Sequence, residues 1–525
     1  MTSYVCAVDV GTLSARAGVF AADGRMLSRE VAEFNVFQGN GKFGEYSSEQ
    51  IWQAVCAAVK ASVATSGVAA TDIGALAFDA TCSLVLLDHE HRPLPLGPDG
   101  RNTIAWFDHR AVAEAAICTD TGHPLIRHLG NAMSPEMQTP KLMWLKRHRP
   151  EIWDALGYAG DLSDFLVLRS TGNPVRSACT TAAKWPYLPA SGGWQQDFLE
   201  AVGLGDLRTK ADLPDAPQSV GKMAGTLTPQ TAEELDLGPG TKVATGMIDA
   251  FAGALGTHGL FPETMVPESQ QTLITGTSNC IMSVSRDPVF RTGLWGPYRD
   301  AILPERWVSE GGQSAAGALL DYILDSWPGN RNGHHPTHSD VIARLDVLIA
   351  EHGPNFAAHI HVLPDFNGNR SPLSDPMAKG VISGLTLDRS FDGLCALYWR
   401  AALSLALGVR QIISHIGGNP KEARDLAIVG GLVQSDLLTQ LFSDVTGRRI
   451  LRHQGQDAVL MGTATLAFAC LTDTDELGRI ARAMANEPAI FSPNPAARAR
   501  FDIDYQAFLR MQAHRVELLA LDGKA

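Results

Sequence analysis

No two cysteines in this sequence are spaced C-x-x-C. The eight that occur, Cys6, Cys56, Cys82, Cys118, Cys179, Cys280, Cys395 and Cys470, sit mostly in apolar runs. That pattern argues against a zinc site or a disulfide framework and reads as reduced core thiols in a cytoplasmic protein. No block of lysine and arginine occurs either. Lys+Arg 43 against Asp+Glu 56 gives a formal net charge of −13. This argues against a nucleic-acid or anionic-membrane partner, since both require a positive surface. A small phosphorylated ligand stays open, because it needs only a few local donors. Long uninterrupted apolar runs are also missing. The longest apolar helical stretch, 394–416, is broken by Arg400, Arg410 and His415, so no span reads as transmembrane. The opening Met1-Thr2-Ser3-Tyr4 has no basic stretch before its apolar run and does not read as a signal peptide.

The 525 residues are 45% hydrophobic and 19% charged, the range of a folded globular chain. At about 150 residues per domain the length suggests three or four units, or two large ones. The stretch from Tyr4 to Phe20 reads as strand, tight turn, strand, with Asp9-Val-Gly11-Thr12 between two β-rich runs. Ser48 is the expected N-cap of a helix carrying Ile51, Val55 and Val59. Strands are expected over 73–78 and 83–87 around a polar break, Asp79-Ala-Thr-Cys82. Alternating strands and helices continue to Gly246, an α/β layered pattern. Residues 256–271 carry two prolines and no clear period, which marks a boundary. Then Gln271 to Val284 repeats the opening: strand, Gly276-Thr277-Ser278 turn, strand. Helices are expected near 314–325 and 391–415, and the strand 426–429 runs into Gly430-Gly431. The expectation is a duplicated architecture of two α/β domains, 1–256 and 257–525.

A Gly-Thr turn exposes backbone N–H groups and hydroxyls, and its glycine admits a phosphate at close range. One such turn is equally a plain hairpin; two, opening two halves of one chain, can hold a polyphosphate between them, with Asp9 near a hydrated Mg²⁺. Asp249 falls where a strand end meets a small-residue helix, the place of a general base in phosphoryl transfer or, equally, of a helix cap. The small residues after it, Ala250, Ala252, Gly253, Ala254 and Gly256, suit close interdomain packing. His334 and His338 have metal-site spacing but flank Pro336 in a polar loop, beside the Gly/Asn/His-rich loop 329–335, and solvation is the default there.

These residues resemble the FGGY carbohydrate kinases, of the actin/hexokinase-like (ribonuclease H-like) ATPase fold, over nearly the whole chain. The likeness rests on Asp9-Val-Gly-Thr-Leu-Ser14-Ala-Arg16, Lys141-Leu-Met-Trp144, Gly160-Asp-Leu-Ser-Asp164, Gly246-x-x-Asp249 and Thr275-Gly276-Thr277-Ser278. It continues through Asn367-Gly-Asn-Arg370-Ser-Pro, Gly430-Gly431 and Gly462-Thr-Ala-Thr. Asp79-Ala-Thr81-Cys82-Ser83 looks like the ribulose-kinase version of the sugar loop, and Trp106 to Arg110, Ser134 to Lys141 and Glu310 to Gly317 resemble the pentulose-kinase branch.

The resemblance implies a sugar-binding half, 1–256, a nucleotide-binding half, 257–525, and a cleft between them. Asp249 matches the base that deprotonates the sugar's terminal hydroxyl. Asp79, Thr81, Cys82, Lys184 and Glu310 match the sugar side. Thr12, Ser14, Arg16, Gly276 and Thr277 match the phosphate loops, Asp9 the position near Mg²⁺, and Gly317, Asp321, Gly431 and Ser435 the nucleotide pocket. Two departures stand out: Ser435 where many relatives carry asparagine, and Gln138 where the family usually has serine or threonine. The implied activity is transfer of the γ-phosphoryl group of ATP to the C5 hydroxyl of a pentulose, D-ribulose first, with L-ribulose or ribitol as alternatives. An ATPase without sugar chemistry and a catalytically dead sugar-binding regulator are the readings from other classes. Homodimers are common among such kinases; no interface is legible in the sequence.

Overall fold

Six of the seven residues of the first strand, β1 (Tyr4–Val10), are buried, as a near-continuous apolar run requires of a strand covered on both faces. In this computed structural model the described residues are 4–39, 43–97, 99–262, 270–327, 335–417, 425–455 and 457–521. After the Gly11 turn, β2 (Ser14–Ala21) returns antiparallel to β1, and β3 (Met26–Glu33) pairs antiparallel with β2. On the other side of β1 lie β4 (Ile73–Ala80), parallel to β1, and β5 (Lys242–Ala244), parallel to β4. The spatial order is β3-β2-β1-β4-β5.

The second half repeats that order. β6 (Gln271–Thr275) and β7 (Asn279–Ser285) form a hairpin, and β8 (Trp307–Gln313) adds antiparallel to β7. β9 (Leu426–Gly430) runs parallel to β6, with β10 (Ile450–Arg452) parallel beyond it. The two Gly-Thr hairpins therefore open two copies of one sheet topology, as the duplicated architecture requires. A smaller sheet in the first half joins Phe37–Gly39, Phe43–Tyr46, Thr103–Ile104, Leu84–Leu87 and Tyr158–Asp161.

Eight helices matter for the site. They are α1 (Ser48–Ser66), α2 (Ala178–Lys184), α3 (Asp249–His258) and α4 (Gly317–Ser326), then α5 (His338–His352), α6 (Phe391–Ile416), α7 (Asp436–Thr446) and α8 (Ala458–Thr472). The cap of α1 is Ser47 rather than the expected Ser48: its side chain accepts from the Gln50 N–H at 3.4 Å. The helix expected from 314 starts at Gly317, because the Ala316 and Gly317 N–H groups are bound to the Thr277 and Gly276 carbonyls, both at 2.9 Å. Residues 329–334 of the expected polar loop lie outside the described residues.

Between the two sheets α3 and α8 cross at close range. α8 packs on β1, β2, β4 and β5 of the first sheet, while α3 packs on β6, β7 and β9 of the second. The approach needs glycine on both sides. A Cβ on Gly256 would lie 1.8 Å from the Ala458 carbonyl oxygen, and one on Gly462 1.9 Å from that of Ala252. Each half thus lends a helix to the other's sheet, and Leu255, Leu460 and Met461 share one buried core with Val5 and Ala77. Among the described residues no helix is long and apolar enough to cross a membrane.

Candidate active site

Met247 and Ile248 pair in parallel with Asp79 and Ala80 at the end of β4, so Asp249 emerges at the sheet edge as the first residue of α3. Its Oδ1 accepts from the Ala250 N–H at 2.7 Å. Burial pushes its carboxyl up from the ordinary aspartate range, and Glu310 adds to this, while the Ala250 N–H, Arg16 and Lys184 pull the other way. Asp249 faces a cavity of about 370 Å³ between the halves.

That cavity is walled by Thr81, Cys82, Lys184 and Glu310, together with Trp106, Glu136, Trp295 and Arg370. Lys184 closes α2 and holds its Nζ 4.9 Å from the centre of the Trp295 ring. Burial works against its charge, but negative neighbours including Glu310 and Glu136 more than offset this and hold the ammonium above its usual range. Arg370 bonds Glu310 and stacks 4.0 Å from the Trp295 ring centre. Burial raises the Glu136 carboxyl, but His109, Arg370 and Lys184 outweigh it and hold the group below its ordinary value.

The two hairpin turns, Gly11-Thr12 with Arg16 and Gly276-Thr277-Ser278, line the same cavity. The β1–β2 register sets Asp9 opposite Arg16, whose Nη2 is 2.9 Å from Asp9 Oδ2. The Thr12 hydroxyl accepts from the Trp106 indole at 3.2 Å. Gly276, Thr277 and Gly431 are shared with a second cavity of about 580 Å³, whose wall includes Gly317, Asp321 and Ser435. A Cβ on Gly317 would stand 2.7 Å from the Gly276 carbonyl oxygen, so glycine is what lets α4 begin against the turn. Ile342, Ala343, Leu432 and Leu438 give this second cavity an apolar lining. The Ser435 side chain caps α7 by accepting from the Leu438 N–H.

Two expected site residues do not line either cavity. Ser14 pairs with Glu33 at the far side of the turn. Asp79 belongs to β4 itself rather than to a polar break. It lies opposite Asp9 across the parallel register, fully buried, and its carboxylate takes the Thr463 hydroxyl of α8. His334 lies outside the described residues. His338 bonds Asp321 at 2.8 Å and the Tyr398 hydroxyl at 2.9 Å, and among the described residues no three His, Cys, Asp or Glu side chains group as a metal site.

Residues 4–256 match the model of the N-terminal domain of the FGGY family of carbohydrate kinases, and residues 272–471 match that of its C-terminal domain. The chain belongs to the FGGY carbohydrate kinase family. It is 36% identical over 541 residues to an FGGY carbohydrate kinase domain-containing protein of Danio rerio, covering 99% of each chain. A D-ribulokinase of Saccharomyces cerevisiae is 32% identical over 519 residues, with 90% of this chain and 72% of the yeast protein covered. The fold is that of a gluconate kinase from Lactobacillus acidophilus, with a TM-score of 0.81 at 19% identity over 97% of this chain and 98% of that one.

The two departures from the family pattern differ in consequence. Gln138 donates to the Cys82 carbonyl at 3.1 Å and to Asp161 at 2.8 Å, fixing the backbone at Cys82. Lys141, three residues on, is buried with its Nζ on the Ala105 and Trp106 carbonyls at 3.0 and 3.4 Å, which holds the turn carrying Trp106. The serine at 435 still caps its helix. Glu136, Trp295 and Arg370 were given no role by the sequence reading; Glu136 and Arg370 lie in stretches that carry the resemblance.

Proposed function

We propose that this chain is an ATP-dependent pentulose kinase that transfers the γ-phosphoryl group of ATP to the C5 hydroxyl of D-ribulose. The observation that carries the reading is the shared wall. Asp249, Lys184 and Glu310 line one cavity, and Gly276, Thr277 and Gly431 line both it and a second, apolar one. An acceptor hydroxyl beside Asp249 and a triphosphate along the two turns would lie end to end, as in-line displacement requires. The yeast relative's name, D-ribulokinase, and the sugar-loop likeness at Asp79 to Ser83 support the pentulose.

Residues 1–256 would hold most of the sugar side and 257–525 the nucleotide, whose base and ribose would enter the larger cavity near Asp321 and Ser435. Glu310, Trp295 and Arg370 bring the second half into the sugar side as well. As the C5 oxygen attacks the γ-phosphorus, the bond from that phosphorus to the β-bridging oxygen breaks and ADP leaves. The C5 proton passes to Asp249, whose raised carboxyl makes it a stronger base than an ordinary aspartate. Lys184 and Glu310 would fix the sugar hydroxyls, and the Thr277 amide and hydroxyl would hold the phosphates.

Asp9 fits the expected magnesium ion. Apart from Arg16 and the neighbouring Asp79 carboxyl, both its buried oxygens lack a hydrogen-bond partner. Bound beside Asp9, a magnesium ion would offset the negative charge of the phosphates. The test is product analysis: purified protein, ATP and D-ribulose should give ADP and a ribulose phosphorylated at C5, seen as phosphorus coupling to the C5 protons. Phosphate at C1, or release of free phosphate alone, would overturn the proposal.

A further inference from the structure

We infer that Arg370 is a positioning residue of the sugar side, holding Glu310 where it can take a substrate hydroxyl. The inference rests on the pentulose reading of the cavity. Arg370 and Glu310 are 60 residues apart in sequence, yet both line the cavity and their side chains pair directly. The guanidinium is gripped on several sides. It stacks 4.0 Å from the Trp295 ring centre, and its Nη2 reaches Cys280 Sγ at 3.8 Å. The backbone under it is pinned to β8. The Ser371 N–H donates to the Gly312 carbonyl and the Gly312 N–H to the Ser371 hydroxyl, both at 3.1 Å. A Cβ on Gly312 would lie 2.7 Å from Arg370 Cζ, so the strand carries glycine where the guanidinium passes.

Glu310 lies in the field of two cations, Lys184 and Arg370. Its bond goes to Arg370 through one guanidinium nitrogen, Nη2, which the stacking on Trp295 holds in place as a flexible ammonium would not be held. A carboxylate accepts up to about four hydrogen bonds, so the Arg370 contact leaves acceptor capacity for a hydroxyl. With Arg370 removed, Glu310 would turn toward Lys184, and the two groups expected to grip the sugar would satisfy each other instead.

The experiment compares Arg370→Met and Arg370→Lys with the parent enzyme, alone and in a Glu310→Gln background. Steady-state kinetics are measured separately for D-ribulose and for ATP, and thermal unfolding is followed for every variant. Arg370→Met is expected to raise the KM for D-ribulose roughly tenfold to a hundredfold, as loss of a charged hydrogen bond does. The KM for ATP should stay within about twofold, because the nucleotide side is not touched. Arg370→Lys should recover part of the loss and keeps the test alive if the methionine variant fails to fold. In the Glu310→Gln background the Arg370 effect should largely vanish, since the two act as one unit. Full additivity, or an unchanged KM for D-ribulose in folded variants, would overturn this inference while leaving the kinase reading standing. Failure of the parent to use any ketose or polyol would overturn both.

Discussion

On the proposed mechanism, replacing Asp249 by asparagine removes the base and little else. Asparagine has the same shape, and its carbonyl can still accept the Ala250 N–H that Asp249 takes at 2.7 Å. The start of α3 should therefore survive. A positioned general base contributes about 10²- to 10⁴-fold, so kcat should fall by that factor, or roughly 2.7 to 5.4 kcal/mol of barrier. The KM for D-ribulose should change by no more than about threefold, because the lost interaction develops in the transition state. The pH profile adds a second readout. Asp249 must be ionised to act, so kcat rises with pH through its folded pKa. Burial has moved that value up, and the acid limb should lie above the usual aspartate range and be missing in the variant. Stability moves the other way. A raised folded pKa means the fold favours the protonated carboxyl, a contribution present below the unfolded pKa and lost as pH rises through the folded one. The Asp249→Asn substitution should thus cost no stability at about pH 8, and any gain there should disappear in acid. The assay is coupled ADP release with D-ribulose, beside thermal melts at both pH values. A variant that keeps kcat within tenfold of the parent would refute the assignment.

Other substitutions separate the parts of the site. Asp79→Asn should leave the KM for the ketose within about twofold, since Asp79 lies behind Asp9 and asparagine can still accept from Thr463; a large rise would return Asp79 to the sugar side. Lys184→Met should raise the ketose KM with little effect on that for ATP, and equal effects on both would remove it from the sugar contacts. Gly317→Ala must push α4 off the Gly276 carbonyl, 2.7 Å from the new Cβ. It should cost about 1–3 kcal/mol in thermal or denaturant unfolding and raise the KM for ATP. Gly462→Ala, meeting backbone at 1.9 Å, should destabilise more than Gly317→Ala, and an unchanged melting temperature would contradict the crossing of α3 and α8.

Local features were legible in the sequence because their causes are local. A glycine turn between β-branched runs gives a hairpin wherever it occurs, and the small residues of α3 mark a close helix crossing. The N-cap was misplaced by one residue because Ser47 and Ser48 are equally good caps by composition. Asp79 looked like part of a polar loop because nothing local shows that β4 runs on beside β1 to Ala80, burying a carboxylate in the sheet. The order of strands around β1 and β6 depends on pairings across long crossovers, which carry no short-range signal. For the same reason the grouping of Glu136, Trp295, Glu310 and Arg370 could not be read from spacing. Resemblance marked the stretches around Glu136 and Arg370 and offered no reason for those two residues.

The most direct measurement is ATP consumption by the purified chain against D-ribulose, L-ribulose, D- and L-xylulose, ribitol, D-arabinitol, erythritol and glycerol. If Asp249, Lys184 and Glu310 form the acceptor site of a pentulose kinase, turnover should depend on added sugar and be highest with D-ribulose. Equal ATP consumption with and without every sugar on that panel would contradict it.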